Sequence, residues 1–301
     1  MLAQSIKTAA AATASSTNLF LRMSSGSAYK TLSISVPKEF VYHVKLNRPD
    51  KYNAINKPMW FEIKRCFEEL SDDENCRSIV LSGEGKVFTA GIDISALMEM
   101  ASLISGENDV ARKAKNLLNV IRSFQDCLSA LELCKKPVLA AVHSLCIGAG
   151  VDLISAADIR YCSKDAVFQV KEVDVGLAAD VGTLQRLPKI IHSESLAREL
   201  CYTARKMLAD EALSCGLVSR VFGSKDEMID DVIKVAETIA KKSPVAVQGT
   251  KRSMVFSRDH SVQEGLEHIA MWNQIMLQSE DLVKAASSAM SEDKDIVFSK
   301  L

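Results

Sequence analysis

The sequence predicts an α/β protein built around a mostly parallel sheet. Short apolar segments recur along the chain and alternate with longer segments whose apolar residues fall on one face of a helix. The folded part is expected to begin near Tyr29, which leaves about 270 residues, enough for one large domain. After Ser224 the pattern becomes wholly helical. We therefore expect an α/β core followed by a helical subdomain.

Each predicted element follows from its local pattern. Val41–Leu46 has the alternation of a half-buried strand. A helix is predicted from Asn56, because Pro58 falls in its first turn and the apolar residues after it recur at helical spacing. Pro244 is predicted to separate two of the C-terminal helices. Further strands are predicted at 79–81, 138–142, 159–162 and 218–222, and the C-terminal helices at 225–242, 245–256 and 261–279.

The two ends of the chain resemble targeting signals. Residues 1–38 contain no acidic residue and are rich in Ala, Ser and Thr, which is typical of a mitochondrial transit segment, with a disordered tail as the alternative. The chain ends in Ser299-Lys300-Leu301, the tripeptide that the peroxisomal import receptor reads. We therefore expect both mitochondrion and peroxisome as locations. The predicted segments are 1–28 (targeting or disordered), 29–224 (core), 225–298 (helical subdomain) and 299–301 (peroxisomal signal).

Composition and charge argue against several classes of protein. The 301 residues are 48% hydrophobic, and 37 Lys and Arg face 38 Asp and Glu, for a net charge of -1. Such a chain has no broad basic field for nucleic acid or an anionic membrane. The longest apolar run in the middle of the chain, residues 137–151, is shorter than the roughly 20 residues that a membrane span needs.

The eight cysteines never form a C-x-x-C pair, and no cluster of histidines accompanies them. This spacing argues against a zinc site and against a disulfide framework. Several of the cysteines lie in apolar stretches, where a free thiol behaves as a small apolar group. We expect reduced thiols in an intracellular compartment and no metal site.

Two glycine-bearing turns are the strongest candidates for a functional site. The chain has no G-x-S-x-G elbow, phosphate loop or H-E-x-x-H motif, so serine-nucleophile, phosphate-loop and zinc-hydrolase functions lack support. Residues 88–93 and 146–152 each follow an apolar strand and lead into helix-forming sequence. Each can present free backbone N–H groups, and two such donors aimed at one point make an oxyanion hole. By themselves, however, small-residue turns are common between strands and helices.

The order of several short motifs resembles the crotonase, or enoyl-CoA hydratase/isomerase, superfamily. The matching motifs are Leu46-Asn47-Arg48-Pro49 with Asn53-Ala54, Phe88-x-x-Gly91-x-Asp93, Pro137-Val138-x-Ala140-x-Val142, Gly148-x-Gly150-x-Asp152 and Gly182-Thr183-x-Gln185-Arg186-Leu187. The resemblance covers roughly residues 38 to 285. It implies a crotonase-like ββα spiral core with a C-terminal helical trimerisation subdomain, and subunits that associate as a homotrimer or a homohexamer.

The same resemblance implies which groups hold the substrate. In that family the two turns bind the thioester oxygen of an acyl-CoA, and the donors carried over to this chain are the backbone amides of Ile92 and Ala149. The family usually has Gly where this chain has Ala149, a change that leaves a backbone donor in place. The residues expected to bind substrate or form the oxyanion hole are Gly91, Ile92, Asp93, Ile94, Ser95 and Ala149.

Three acidic residues indicate the reaction. Hydratases of the family resemble one another in having Glu at the position of Asp152 and a second Glu at Glu172. This chain keeps Glu172, has Asp152, and carries a third acid, Asp180, where hydratases have Gly. The stretch 168–182 resembles the branch of the family that isomerises 3,5-dienoyl-CoA to 2,4-dienoyl-CoA in fatty-acid β-oxidation.

Moving a conjugated diene by one step suits three acids better than two. A proton must leave the carbon next to the thioester, and another must reach a carbon four atoms further along, roughly 5 Å away, beyond the reach of one carboxyl. Glu172 is the expected base and Asp180 the expected acid, while Asp152 orients the substrate or tunes its neighbours. Clustering should keep one carboxyl protonated, which would supply the acid form of Asp180. Asp152 and Asp180 could instead be helix caps.

Proton transfer alone requires no redox carrier and no metal, so no cofactor is expected and CoA enters as part of the substrate. The sequence does not tell which Lys or Arg meets the CoA phosphates. Two other functions remain open. The first is a hydratase or a single-double-bond enoyl-CoA isomerase of the same family, from which Asp180 distinguishes this chain. The second is a crotonase-fold module that binds RNA, which the net charge of -1 disfavours.

Overall fold

The computed structural model describes residues 29–96, 98, 109–291 and 296–301. The strands are β1 (Leu32–Lys38), β2 (Val41–Leu46), β3 (Ser78–Gly83), β4 (Val138–Val142), β5 (Leu145–Ile147), β6 (Ile159–Ser163), β7 (Val167–Gln169), β8 (Met207–Leu208) and β9 (Val221–Phe222). Six of them form one sheet in the order β1-β2-β3-β4-β6-β9. β1 and β2 are antiparallel, and every other neighbouring pair in this sheet is parallel.

The helices surround this sheet and continue beyond it. They are α1 (Lys57–Asp72), α2 (Val110–Leu133), α3 (Ala149–Ser155), α4 (Thr183–Ile190), α5 (Glu194–Thr203), α6 (Ala209–Ser214), α7 (Lys225–Ala240), α8 (Pro244–Ser257), α9 (Val262–Met276) and α10 (Glu280–Ser291). Asn56 caps α1 by accepting a hydrogen bond from the N–H of Met59, and Pro58 lies in the first turn, as the sequence predicts.

A second, three-stranded sheet has the order β5-β7-β8. The chain therefore adds one strand to the large sheet, one to the small sheet and then a helix. β4, β5 and α3 form one such unit, and β6, β7 and α4 form the next after a 3-10 segment at Glu172–Val175. This repeated ββα path is the spiral core that the family resemblance predicts, and the α/β prediction is confirmed.

Apolar side chains fill both faces of the large sheet. On one face Val80 and Leu139 pack with Met228 of α7, and all three are fully buried. On the other face the core includes α1 and α2, where the ring of Trp60 stacks on that of Phe124 with centroids 4.9 Å apart. Burying each such side chain contributes roughly 1.5–3 kcal/mol to folding. This packing fixes the strand ends that carry the two glycine turns.

The structure differs from the predicted elements at several places. β1, β5, β7 and β8 are additional strands that the sequence patterns did not reveal. The last strand of the large sheet is only Val221–Phe222, because the N–H of Val218 donates to the carbonyl of Ala212 at 3.1 Å and so leaves the ladder. Pro244 separates two helices as predicted, and it does so as the first residue of α8.

Some predictions concern features outside the core. The predicted targeting segment, residues 1–28, lies outside the described residues. All eight cysteines are buried and unpaired. In the described part of the chain no helix has the length and apolar character needed to cross a bilayer, and no group of acidic, Cys or His side chains there is arranged to hold a metal ion.

Candidate active site

The first glycine turn leaves one amide aimed away from its neighbouring strand. The N–H of Ile55 donates to the carbonyl of Gly91 at 2.8 Å, and the N–H of Asp93 donates to the carbonyl of Ile55 at 3.0 Å. These two bonds make a parallel bridge between Ile55 and Ile92, so the N–H of Ile92 points to the opposite side. No described residue accepts a hydrogen bond from it. The amide of Ile92 is free for a ligand.

The second glycine turn opens α3 with a free amide. Gly148 has a φ of 51° and precedes the first helical residue, Ala149, and no side chain caps this end of the helix. The N–H of the first helical residue has no partner within its own helix. A Cβ added to Gly91 would lie 3.8 Å from the nitrogen of Ala149 and 2.7 Å from the carbonyl oxygen of Ile147. The two predicted donor turns therefore touch, and only Gly fits at position 91.

Other residues of the first turn hold its shape. Asp93 accepts a hydrogen bond from Arg48 at 2.8 Å and another from the hydroxyl of Ser95 at 2.7 Å. These bonds lower the pKa of Asp93 to about 2, so it is ionised. The hydrogen bond between Asp93 and Ser95 is internal to the turn. The side chain of Ile94, by contrast, is 75% exposed and available to a ligand. Arg48 was not predicted as a site residue, although it lies in a quoted motif.

Asp152 lies in the first turn of α3 and is fully buried. Its Oδ1 accepts a hydrogen bond of 2.6 Å from the N–H of Thr183, the first residue of α4. Its Oδ2 is buried and has no protein partner. Burial raises the pKa of Asp152 to about 6, and the charge of Asp180 adds to the rise, while the bonds from Thr183 oppose it. Asp152 thus connects α3 to the start of α4.

Glu172 lies over the second glycine turn. A Cβ added to Gly148 would be 3.2 Å from Oε1 of Glu172, so the carboxyl group covers the turn closely. Its Oε2 is buried without a protein partner. Burial, together with the charges of Asp152 and Asp180, raises the pKa of Glu172 to about 7. A carboxyl with a pKa near neutrality can both take and return a proton.

Asp180 lies between Glu172 and α4 and is exposed. Partial burial raises the pKa of its carboxyl above the ordinary value. It does not cap α4, because the N-cap residue is Gly182 and the first N–H of the helix, that of Thr183, donates to Asp152 instead. Gln125 of α2 donates a hydrogen bond of 2.7 Å to the backbone carbonyl of Asp180. The charge of Asp180 contributes to the raised pKa of both Asp152 and Glu172, so the three carboxyls lie near one another.

The carboxyl whose pKa lies nearest neutrality is not the one that the sequence led us to expect. That expectation assigned the protonated carboxyl to Asp180. In the structure the pKa of Glu172 is raised to about 7, because Glu172 is enclosed, while Asp180 stands at the surface. The sequence reasoning also gave no role to Thr183 or Gln125, which contact two of the acids. Thr183 belongs to a quoted motif, but no sequence signal pointed to Gln125.

Comparison with known proteins shows which family the chain resembles. The family model described as enoyl-CoA hydratase/isomerase matches residues 37–300. The chain is 55% identical over 277 residues to the human mitochondrial Delta(3,5)-Delta(2,4)-dienoyl-CoA isomerase, covering 91% of this chain and 84% of that one. It is 46% identical over 268 residues to the peroxisomal isomerase of the same name from Arabidopsis thaliana, covering 88% and 96%. A solved enoyl-CoA hydratase from Bacillus anthracis superposes with a TM-score of 0.79 at 23% identity, covering 89% of this chain and 98% of that one.

Proposed function

The chain belongs to the enoyl-CoA hydratase/isomerase family, and we propose that its three clustered carboxyls isomerise 3,5-dienoyl-CoA to 2,4-dienoyl-CoA in fatty-acid β-oxidation. The observation that carries the proposal is the third acid, Asp180, coupled to Glu172 and Asp152. Hydration uses two acids at neighbouring carbons. A diene shift needs a third group that reaches a distant carbon.

The first step is removal of a proton from the α-carbon. The carboxylate of Glu172 takes this proton, so that the C–H bond breaks and an O–H bond forms. The electron pair moves through the conjugated system onto the thioester oxygen and gives a dienolate. The amides of Ile92 and Ala149 donate hydrogen bonds to that oxygen, which stabilises the charge where it develops.

The second step returns a proton at the far end of the diene. In the reacting form Glu172 is ionised and the proton of the cluster lies on Asp180, which gives it to the distal carbon as the thioester carbonyl re-forms and the 2,4-dienoyl-CoA leaves. The proton that Glu172 took then returns to Asp180 through solvent, which restores the starting form. Asp152 contacts the backbone of Thr183 and raises the pKa of Glu172 by its charge. We assign it to tuning the base and orienting the substrate. These steps are proton transfers, so CoA takes part only as the carrier of the acyl group.

The structure also supports a proposal for assembly. Large apolar side chains of the C-terminal helices are exposed in the single chain, among them Met254, Leu266, Met271, Ile275 and Val283. A surface of this kind marks a subunit contact. We infer a homotrimer or a pair of trimers that meet through these helices. The relatives are named mitochondrial and peroxisomal, and we assign this chain to both organelles.

An ultraviolet assay tests the proposed reaction. The protein is mixed with a 3,5-dienoyl-CoA, and the conjugated 2,4-dienoyl product is followed by its absorbance at longer wavelength. Crotonyl-CoA serves as the comparison substrate for hydration. Fast formation of the conjugated product supports the proposal, whereas hydration of crotonyl-CoA without isomerisation favours the hydratase alternative. A salt-dependent shift of RNA would instead favour the RNA-binding alternative.

A further inference from the structure

The carboxyl group of Asp180 depends on its backbone for its position. Among the described residues no side chain bonds to this carboxyl group, and Asp180 lines an open cavity of about 480 Å³. The hydrogen bond of 2.7 Å from Gln125 to the carbonyl of Asp180 is a direct tether from α2.

A second contact holds the loop at Gly182, two residues after Asp180. Gly182 has a φ of 140°, and a Cβ placed there would lie 2.0 Å from Nη1 of Arg186. The guanidinium of Arg186 therefore occupies the space that a side chain at position 182 would need. The guanidinium packs against the backbone between Asp180 and α4.

Arg186 is itself held by α2. Its Nη2 donates to Oε2 of Glu132 at 3.0 Å and to the hydroxyl of Ser129 at 3.0 Å, and the residue is 9% exposed. Glu132 also pairs with Arg258, which follows α8. Burial raises the pKa of Glu132, but the hydrogen bonds from Arg258 and Arg186 outweigh burial and keep it below the ordinary value. Glu132 is thus an enclosed, ionised anchor.

The residues of α2 that make these contacts share one face of the helix. Gln125, Ser129 and Glu132 are separated by four and three residues, so they lie one above another. Gln125 contacts the loop directly at Asp180. Ser129 and Glu132 bind Arg186, whose guanidinium contacts the loop at Gly182. Since α2 packs on α1 in the core, its position is fixed by the whole domain.

We propose that Gln125, Glu132 and Arg186 are positioning residues that hold Asp180 within reach of the distal carbon of the diene. This inference rests on the proposed function and extends it. Proton transfer requires heavy atoms within about 2.6–3.2 Å. A misplacement of about 1 Å can cost roughly 100-fold in rate. Losing the anchor should therefore impair the second proton transfer selectively, because Glu172 and the two amides do not depend on it.

The test measures two rates on the same variant. Isomerisation is followed by absorbance, and exchange of the α-hydrogen in heavy water is followed by mass spectrometry. Glu132→Gln removes the charge that holds Arg186 with little change of shape. We expect isomerisation to fall by about tenfold or more, while α-exchange stays within about twofold of the parent or increases, because the dienolate still forms and returns.

Gln125→Leu is the second variant, because Gln125 is exposed and its loss does not endanger folding. It should shift the same ratio of rates in the same direction. Glu211→Gln is the matched control, because it makes the same substitution at another ion pair. Glu211 accepts from Arg205 at 2.6 Å, and this pair does not contact the Asp180 loop. Its loss should not separate the two rates.

Two results would overturn the inference. One is an undiminished isomerisation rate in both Glu132→Gln and Gln125→Leu. The other is an equal fall of isomerisation and α-exchange in these variants, which would indicate general damage. Asp180→Asn distinguishes a failure of this inference from a failure of the proposed function. If Asp180→Asn abolishes isomerisation while the positioning variants are fully active, only the inference about positioning fails.

Discussion

At the scale of single residues, the three acids differ in how far the protein encloses them. Asp152 is fully buried, Glu172 is mostly buried and Asp180 is exposed. Burial disfavours the charged form of a carboxyl, and neighbouring negative charges add to that effect. The raised pKa values therefore follow from packing. They equip Glu172 to exchange protons near neutral pH.

The division of labour between Glu172 and Asp180 can be tested by exchange. Glu172→Gln should abolish both isomerisation and α-hydrogen exchange, because no base remains. Asp180→Asn should keep α-exchange and lose the conjugated product, because the dienolate can form but receives no distal proton. Mass spectrometry in heavy water and ultraviolet absorbance give the two rates. Exchanged phenotypes would reverse the two roles, and an Asp180→Asn protein of full activity would refute the diene mechanism.

The pH dependence of activity should report Glu172. As a base it works ionised, so kcat/KM should rise with pH up to about 7. The charge of Asp152 raises the pKa of Glu172. Asp152→Asn removes that charge while keeping an oxygen acceptor for Thr183. The acid limb of its profile should move to lower pH, and a limb that stays or moves upward would contradict the coupling.

The raised pKa of Glu172 also predicts a stability effect. Folding raises this pKa from 4.5 to about 7, so the folded state binds the proton more tightly than the unfolded state. Stability must then decrease as pH rises from about 4.5 to 7. Glu172→Gln cannot ionise and should be more stable than the parent above pH 7, by up to about 3 kcal/mol, with no such gain near pH 4.

Urea denaturation at pH 4 and pH 8 measures this difference. Asp174→Asn is the control, because Asp174 is an exposed carboxyl in the same 3-10 segment. It should show no comparable gain at pH 8. A Glu172→Gln protein with the same gain at both pH values would show that packing, and not ionisation, is responsible.

At the scale of secondary-structure elements, the proposed oxyanion hole depends on where two strands end. Hydrogen bonds join Thr89 to the carbonyl of Leu145 at 2.9 Å and Ile147 to the carbonyl of Thr89 at 3.2 Å. These bonds bring the first turn against β5. Each turn alone is an ordinary connection between elements. The paired donors exist because the two turns are fixed side by side.

Ile92→Pro tests the first donor. The N–H of Ile92 is not used in the bridge to Ile55, so proline removes the amide proton without breaking that bridge. Losing one oxyanion donor should lower kcat by roughly 100- to 1,000-fold. Ile92→Ala keeps the amide and should lose far less. The comparison requires equal melting temperatures, and a folded Ile92→Pro protein with near-parent turnover would contradict the assignment.

At the scale of the whole molecule, the C-terminal helices differ from the core in what they bury. α7 packs on the large sheet, whereas α8 to α10 present large apolar side chains to solvent in the single chain. The predicted boundary at residue 225 places all four helices in one subdomain, and that division remains a prediction.

Leu266→Asp tests assembly. Leu266 is 57% exposed on α9, and a charge there should disrupt an apolar subunit contact. Light scattering after size exclusion should show smaller particles for Leu266→Asp than for the parent protein. Gln263→Asp adds the same charge on the same helix at a polar position and should keep the parent mass. A parent protein that runs as a monomer would refute the assembly.

How far sequence reasoning reached depended on the range of each interaction. The strand at 138–142, the helix start near Asn56 and the helix break at Pro244 were predicted, because each is decided by residues a few positions apart. β1 and the short length of β9 were not predicted. Whether a segment joins or leaves the sheet depends on its pairing with a neighbouring strand, which the local sequence does not show. Asp152, Glu172 and Asp180 were proposed as site residues by resemblance, while Gln125 could not be, since its contact spans 55 residues.

The sequence by itself determined the chemical inventory of this protein: the family, the glycines at two turns and the three acids. Residue identity and short-range spacing are sufficient for these features. Tertiary structure decided how the inventory acts. It brought the amides of Ile92 and Ala149 to adjacent turns, and it set Glu172 over one of them. It also made Glu172 the carboxyl with a pKa near 7, because burial and neighbouring charge come from segments far apart in the chain.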